Sequence, residues 1–367
     1  MSEENEPVDT CCASCSIAEI GDIKLVPCDG CDLVKYCSDE CQQNHKSEHE
    51  EQCKKRAAEL RDELLFKQPE SSYLGDCPIC SLPLPLNPSK SDMTNCCSKV
   101  ICQGCAYTKN WRDDETRRQR TCPFCREPAA KTQEEADKRS MKRVEANDPV
   151  AMCLHAVHEF NKRNYPSAFE YFSKAAELGD AEAHHKLSNM YLLGKGVEKD
   201  VGKHIYHLEE AAIGGHPEAR YHLGFYEQGL ENRNRAVMHW IIAARHGHDK
   251  SIKALMEAFR QGFLKKDVLA AVLRLHKRAV DATKSPQRKE AEGFAQFRST
   301  VENFVFSSPN PFSLPRSRAS KLRLQTFHSH HIQTKHEKQS ASEQNSPSKR
   351  KESNVGKAVE NQESRKW

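Results

Sequence analysis

No stretch of this 367-residue chain approaches the ~18 consecutive apolar residues of a membrane-spanning helix, which excludes a helical spanning protein. The opening Met1-Ser-Glu-Glu-Asn-Glu6 is acidic and polar and is read as no signal peptide. A dominant charge is also missing. The chain has 56 Lys and Arg against 52 Asp and Glu, a formal net of +4, which argues against a dedicated nucleic-acid binder. There is no Gly-rich phosphate loop, and no Ser, His and Asp stand at a known catalytic spacing. Apolar residues are also scarce, at 37% with a mean hydropathy of −0.80. The length suits two to three domains. With so few apolar residues, some segments are disordered or some domains are held by something other than a core.

Cysteine is nearly absent from the C-terminal two thirds. Of 17 cysteines, 16 precede residue 126, and Cys153 is the one beyond. The count is odd and C-x2-C spacing recurs, so a cytosolic or nuclear zinc protein is a better reading than a disulfide knot. The first block offers Cys12, Cys15, Cys28, Cys31, Cys37, Cys41, His49 and Cys53 in four pairs. A C-x2-C turn supplies two thiolates from one tight knuckle, and zinc takes four such donors in a tetrahedron. The i,i+4 spacings of Cys37/Cys41 and His49/Cys53 are expected to set both ligands on one helix face. Cys11 is read as a bystander and His45 as an exposed helix residue.

The block resembles a MYND finger over residues 12–53, including Tyr36-Cys37 and Cys41-Gln42. The resemblance implies an interleaved pairing. Cys12, Cys15, Cys37 and Cys41 would hold one zinc, and Cys28, Cys31, His49 and Cys53 the other. It also implies a module that binds short, often proline-containing peptides. Where the family has Trp three residues before the ligand His, this chain has Lys46.

A second block holds Cys77, Cys80, Cys96, Cys97, Cys102, Cys105, Cys122 and Cys125, with no His between them. It resembles a RING finger over residues 77–126 through Cys77-Pro-Ile-Cys80, Cys102-Gln-Gly-Cys105, Trp111 and Cys122-Pro-Phe-Cys125-Arg126. The family's cross-brace implies Cys77, Cys80, Cys102 and Cys105 on one zinc, and Cys96, Cys97, Cys122 and Cys125 on the other. Lys99 falls on the family's fourth ligand position and cannot ligate while protonated, so Cys96 and Cys97 are taken together. The resemblance further implies a surface that docks a ubiquitin-conjugating enzyme through Ile79, Trp111 and Pro123. Arg126 would favour the reactive conformer of the bound thioester. The zinc itself would be structural, since four protein donors leave no open position.

The remainder is helical and repetitive. Lys174-Ala-Ala-Glu-Leu-Gly-Asp-Ala-Glu-Ala183, Glu210-Ala-Ala-Ile-Gly-Gly-His-Pro-Glu-Ala219 and Ile242-Ala-Ala-Arg-His-Gly-His-Asp-Lys-Ser251 align on Gly179, Gly215 and Gly247. These segments resemble SEL-one-like repeats, relatives of the tetratricopeptide hairpin, and imply a stack that binds other proteins. A degraded fourth repeat is expected from about Asp249 to Val280. A capping helix is expected near Glu290 to Phe304, with Phe294, Phe297 and Val301 on one stripe. The numerous histidines of the repeats (His184, His185, His204, His207, His216, His222, His239, His246 and His248) are read as solvent-facing or helix-capping rather than metal-binding.

The expected fold is mainly α: two small zinc-stapled α+β modules, then an α/α helical-repeat solenoid and a disordered C-terminal tail. The expected boundaries are 12–53, a helical linker 54–76, 77–126, a second helical linker 127–146, the repeats 147–305 and a basic tail 306–367. Pro347-Ser-Lys-Arg-Lys351 in that tail is either a nuclear import signal or a merely solvated run. Zinc is the expected cofactor, at four ions per chain. The reading taken for function is a RING-type ubiquitin ligase, with a ubiquitin-conjugating enzyme docked on the second block and a protein substrate or peptide on the repeats. No membrane and no specific nucleic acid are expected, in a cytoplasmic or nuclear protein. The alternative is a non-enzymatic interaction adaptor. A lysine methyltransferase with a MYND insert would need a cofactor-binding sequence, and none is found.

Overall fold

The computed structural model describes residues 11–69 and 71–307, with side chains through residue 297. The tail expected to be disordered lies outside these residues from 308 onward.

The first cysteine block is a two-stranded ribbon and the start of a long helix. Strands β1 (Val26–Pro27) and β2 (Lys35–Tyr36) pair antiparallel, Val26 opposite Tyr36. Ser38 then caps α1 (Asp39–Phe66), its hydroxyl accepting from the N–H of Cys41. Cys37 therefore precedes the helix instead of lying on it, which corrects the expected i,i+4 pairing; Cys41, His49 and Cys53 are helical.

The second block pairs β3 (Ser91–Met93) with β4 (Val100–Cys102) antiparallel and continues into α2 (Gln103–Glu115). The helices that follow are α3 (Gln133–Glu145), α4 (Pro149–Asn161), α5 (Tyr165–Glu177), α6 (Ala181–Leu193), α7 (Val201–Ile213), α8 (Pro217–Gly229), α9 (Arg233–Arg245), α10 (Asp249–Arg260), α11 (Lys266–Ala282) and α12 (Pro286–Ser307). α4 packs on α5, α6 on α7 and α8 on α9 as hairpins, and successive hairpins stack.

The repeat turn explains the period. Gly179, Gly215 and Gly247 adopt φ of +83°, +85° and +85°, a region costly for a residue with a Cβ. The next residue, Asp180, His216 or His248, is the N-cap of the following helix. The Ala-Ala pairs Ala175/Ala176, Ala211/Ala212 and Ala243/Ala244 are buried, which lets neighbouring helices approach closely.

The two segments expected as linkers pack into this stack. Leu65 at the end of α1 is 1% exposed and shares a core with Leu208, Ala211, Ala212, Ala219 and Leu223. Around it, Arg61 pairs with Glu209 and Glu210, and Arg235 pairs with Asp62. Arg220, 1% exposed, donates to the carbonyl of Leu65 at 2.6 Å, one of the orphan acceptors at the end of α1. α3 buries Val144 against Met152 and Cys153 of α4. Helical sequence with isolated apolar residues looks like a linker until the surface it meets is known.

α12 was expected to cap the stack. Its described side chains instead reach the second block: Phe294 packs on Tyr107 at 5.2 Å between ring centroids, and Glu292 pairs with Lys90 at 2.9 Å. Val301 lies outside the described side chains. Among the described residues, no helix is long and apolar enough to cross a membrane.

Candidate metal centres

Each cysteine block is built from one repeated backbone device. The N–H of Cys12 donates to Ile17 O, and that of Ser16 donates to Cys12 O. The same two bonds recur as Cys77 to Leu82 with Ser81 to Cys77, and as Cys122 to Glu127 with Arg126 to Cys122. In each, the residue after the second cysteine is left-handed: Ser16 at +59°, Ser81 at +53° and Arg126 at +62°. A fourth copy begins at Thr94, which bonds to Lys99 O, with Ser98 at +53°. Here the usual first cysteine is Thr94, whose hydroxyl lies 3.2 Å from Cys97 Sγ. The adjacent pair Cys96-Cys97 is thus a knuckle whose first donor has moved two residues along.

The donors meet in four groups, each with its ligand atoms within 4.8 Å of one another. They are Cys12, Cys15, Cys37 and Cys41; Cys28, Cys31, His49 and Cys53; Cys77, Cys80, Cys102 and Cys105; and Cys96, Cys97, Cys122 and Cys125. Sulfurs bound tetrahedrally at ~2.3 Å from zinc lie about 3.8 Å apart. The observed separations include 3.5 Å for Cys15 and Cys37, 3.7 Å for Cys28 and Cys53, 3.8 Å for Cys80 and Cys102, and 3.7 Å for Cys97 and Cys122. A disulfide would need about 2.05 Å, and all these thiols are free.

The electrostatics call for a cation. Burial opposes ionisation of Cys12, yet the backbone N–H groups of Cys15, Cys37 and Ser14 outweigh it and hold the thiol at about 6. Its neighbour Cys37 is pushed up to about 12, first by Cys15 and then by Cys41 and Cys12. Cys77 and Cys122 are likewise held at about 7 against burial by backbone donors, while burial and then neighbouring thiols drive Cys105 and Cys96 upward. One thiolate per group forms readily and repels the next. A divalent ion at the centre removes that conflict, and four protein donors close its coordination. Burial, then His45, pushes His49 down, leaving the neutral imidazole that ligates. The donors fit zinc, and the chain binds several such ions.

His45 is half-buried, not exposed as expected. Its Nδ1 lies 3.0 Å from the Tyr36 hydroxyl and its ring stacks on His49 at 5.7 Å. Cys11 is exposed outside the groups.

The expected docking residues separate. Ile79, 44% exposed, and Pro123 line one groove of about 610 Å³ with Thr108, Lys109 and Arg112. Trp111 is not among the residues lining it; it stacks on Tyr107, one turn back along α2, at 6.3 Å. Residues 105, 108, 109 and 112 share one helical face, and residue 111 is turned from it. Arg126 is exposed at its left-handed knuckle position, outside the groove lining.

A fifth group, Glu182, His185 and His216, also converges, but its chemistry is different. His216 Nδ1 accepts from the N–H of Ala219, so the ring proton sits on Nε2, 2.9 Å from Glu182 Oε2. A metal on Nε2 would place the proton on Nδ1, facing another donor. The His185 and His216 rings stack at 4.4 Å with planes 29° apart, so no ion lies in both planes at bonding distance. His248 repeats the pattern one hairpin later, with Nε2 2.8 Å from Glu218. These imidazoles join successive repeats.

Sequence reasoning missed Arg220 and Arg288, the two buried cations that join the blocks to the stack. Arg288 of α12 donates to Pro83 O and Thr283 O, each at 2.7 Å, to Leu82 O at 3.2 Å and to Cys80 Sγ at 3.5 Å.

Comparison with known proteins gives two family matches. The MYND finger model matches residues 12–53, and the Sel1 repeat model matches 162–180, 181–216 and 217–248. Chitin synthase regulatory factor 4 of Schizosaccharomyces pombe is 32% identical over 108 residues, 28% of this chain; the match spans only 17% of that relative's length. Among solved structures, the Sel1 repeat protein from Oxalobacter formigenes is 25% identical with a TM-score of 0.36, covering 41% of this chain and 66% of that one. A protective antigen of uropathogenic Escherichia coli strains displaying an SLR fold is 22% identical with a TM-score of 0.31, covering 51% and 39%.

Proposed function

We propose that this protein is a non-enzymatic zinc-binding adaptor whose zinc blocks and repeat stack each dock a protein partner. One observation carries the reading: buried arginines fasten both blocks to the stack, Arg220 on Leu65 O and Arg288 on Pro83 O. Recognition faces held in fixed relation suit bridging. The closed donor groups supply shape without an activated water. The first block also exposes the apolar side chains Ile17, Ile20, Ile23, Val26 and Leu33, which a partner could cover. The interaction modules matched, a MYND finger and Sel1 repeats, support the same reading. Thiols kept free for zinc suit a reducing cytoplasmic or nuclear setting.

The test is bridging. Partners recovered with the full chain should fall into two sets, one lost with Cys28→Ser and one lost with Tyr206→Glu on the stack surface. Each set should co-precipitate the other only through the intact protein. A single set lost with both substitutions would reject the adaptor.

A second reading, RING-type ubiquitin transfer, is favoured by the exposure of Ile79 beside Pro123 on one groove. It predicts that the protein discharges ubiquitin from a charged conjugating enzyme and that Ile79→Ala slows this with zinc content unchanged. Arg126→Ala would spare enzyme binding and slow discharge. No discharge across a panel of conjugating enzymes leaves the adaptor reading alone.

A further inference from the structure

A cleft of about 1470 Å³ opens where the loop after α1, the segment Pro83–Asn87 and the ends of α9, α11 and α12 meet. Among the described residues, its lining carries six basic side chains against three acidic ones. Half of the cations are engaged. Lys90 pairs with Glu292, Lys284 pairs with Asp281, and Arg288 is held by carbonyls. Arg245, Arg278 and Lys289 are exposed and have no ion-pair partner among the described residues. On the acidic side Asp249 lies 3.0 Å from His276, and Asp76 forms no ion pair among the described residues, so the three cations meet two carboxylates without a Lys or Arg partner. The N-terminus of α12, at Pro286, also opens here and adds positive potential.

The uncharged walls indicate what kind of anion fits. The uncharged lining includes the run Pro83-Leu84-Pro85-Leu86, with Leu84 and Pro85 buried and Pro83 and Leu86 half-buried, and Ala279 and Val280 of α11. Pro83 and Pro85 have no N–H, so this wall cannot donate a full strand ladder and recognises side chains instead. No Phe, Tyr or Trp lines the cleft, so bases would find no stacking platform.

We propose that this cleft docks an extended acidic segment of a partner protein. Its carboxylates meet Arg245, Arg278 and Lys289, and intervening aliphatic side chains lie on the Pro83–Leu86 wall. The inference rests on the adaptor reading and adds to it a location and a partner chemistry.

The probe is a displayed library of random dodecapeptides, panned on the full-length zinc-loaded protein and in parallel on Arg278→Glu/Lys289→Glu. Both substituted side chains are exposed, and circular dichroism and zinc content verify that the variant is folded. Peptides enriched on the wild type should carry an excess of Asp and Glu with interspersed aliphatic residues. They should bind the variant about tenfold or more weakly, and bind the wild type more weakly as NaCl rises from about 50 to about 300 mM. Peptides with no acidic excess, or equal binding to the variant, overturn the cleft while the bridging test still judges the adaptor. Failure to enrich any peptide overturns it too, as does displacement of the peptides by equimolar oligothymidylate.

Discussion

Replacing Arg288 with Met keeps the aliphatic stem and removes the guanidinium. Arg288 is 6% exposed, and the change strands the carbonyls of Pro83 and Thr283 and removes one of two donors from that of Leu82, which keeps the N–H of Cys77. A buried acceptor left unpaired costs ~1–3 kcal/mol, and relief from burying the cation offsets part of the total, so a net loss of about 3 kcal/mol is expected. The bond to Cys80 Sγ at 3.5 Å gives the effect an address. Outer hydrogen bonds to metal ligands are worth ~10–100-fold in affinity, so zinc held by Cys77, Cys80, Cys102 and Cys105 should leave at correspondingly lower chelator concentration. A chromophoric chelator titration reads this directly: one equivalent shifts and the others stay. Gly104→Ala approaches the same helix from the other side. A Cβ there would sit 2.8 Å from the backbone nitrogen of Arg288, which cannot swing aside, so α12 must yield and the same equivalent should loosen. An unchanged curve for both variants, or a common shift of every equivalent, refutes the reasoning.

Leu65→Ala should lower stack stability by about 3 kcal/mol, read from the urea midpoint of the helical signal, with zinc content unchanged; an unmoved midpoint would mean α1 is not docked. Burial pushes His185 and His239 down to about 3 from an unfolded value of 6.5, so both are neutral in the folded chain. Their contribution is whole above pH ~6.5 and is lost as pH falls toward the folded values, about 2 kcal/mol each by pH 5. The midpoint should fall between pH 7 and 5, with zinc tracked, and His239→Leu should flatten the profile; equal slopes would contradict this. Cys96→Ser should lose one zinc equivalent of four by elemental analysis. Full retention would mean water or Thr94 completes that group.

The helical class and the cysteine groups were legible because their signals are local. A C-x2-C knuckle is one turn, and a left-handed Gly followed by an N-cap is another, so pattern alone locates them. The knuckle that begins at Thr94 was half-legible: its backbone is ordinary, but its donor set is not. Arg288 carries little signal in its own neighbourhood, because its partners in the second block, Pro83 and Leu82, lie about 200 residues away in sequence. Leu65 looked like part of a linker for the same reason. Trp111 lies off the groove that Ile79 and Pro123 line, since counting residues from a ligand does not fix which helical face they occupy. His216 was correctly a capping histidine, but its carboxylate, Glu182, became visible only once successive hairpins were stacked.

α1 has one more consequence. At ~1.5 Å per residue, its 28 residues span about 42 Å without a break, and about 18 Å of that separates the last zinc donor, Cys53, from Leu65. The chain leaves that second end directly into the lining of the basic cleft, at Gln68 and Pro69. A ligand engaging both the finger and the cleft therefore needs two motifs joined by at least about half a dozen extended residues. With a tether near that length, the second contact forms at an effective concentration in the millimolar range, whereas a shorter one cannot reach at all. The helix thus acts as a molecular ruler, selecting partners by the spacing of their motifs as well as by the motifs themselves.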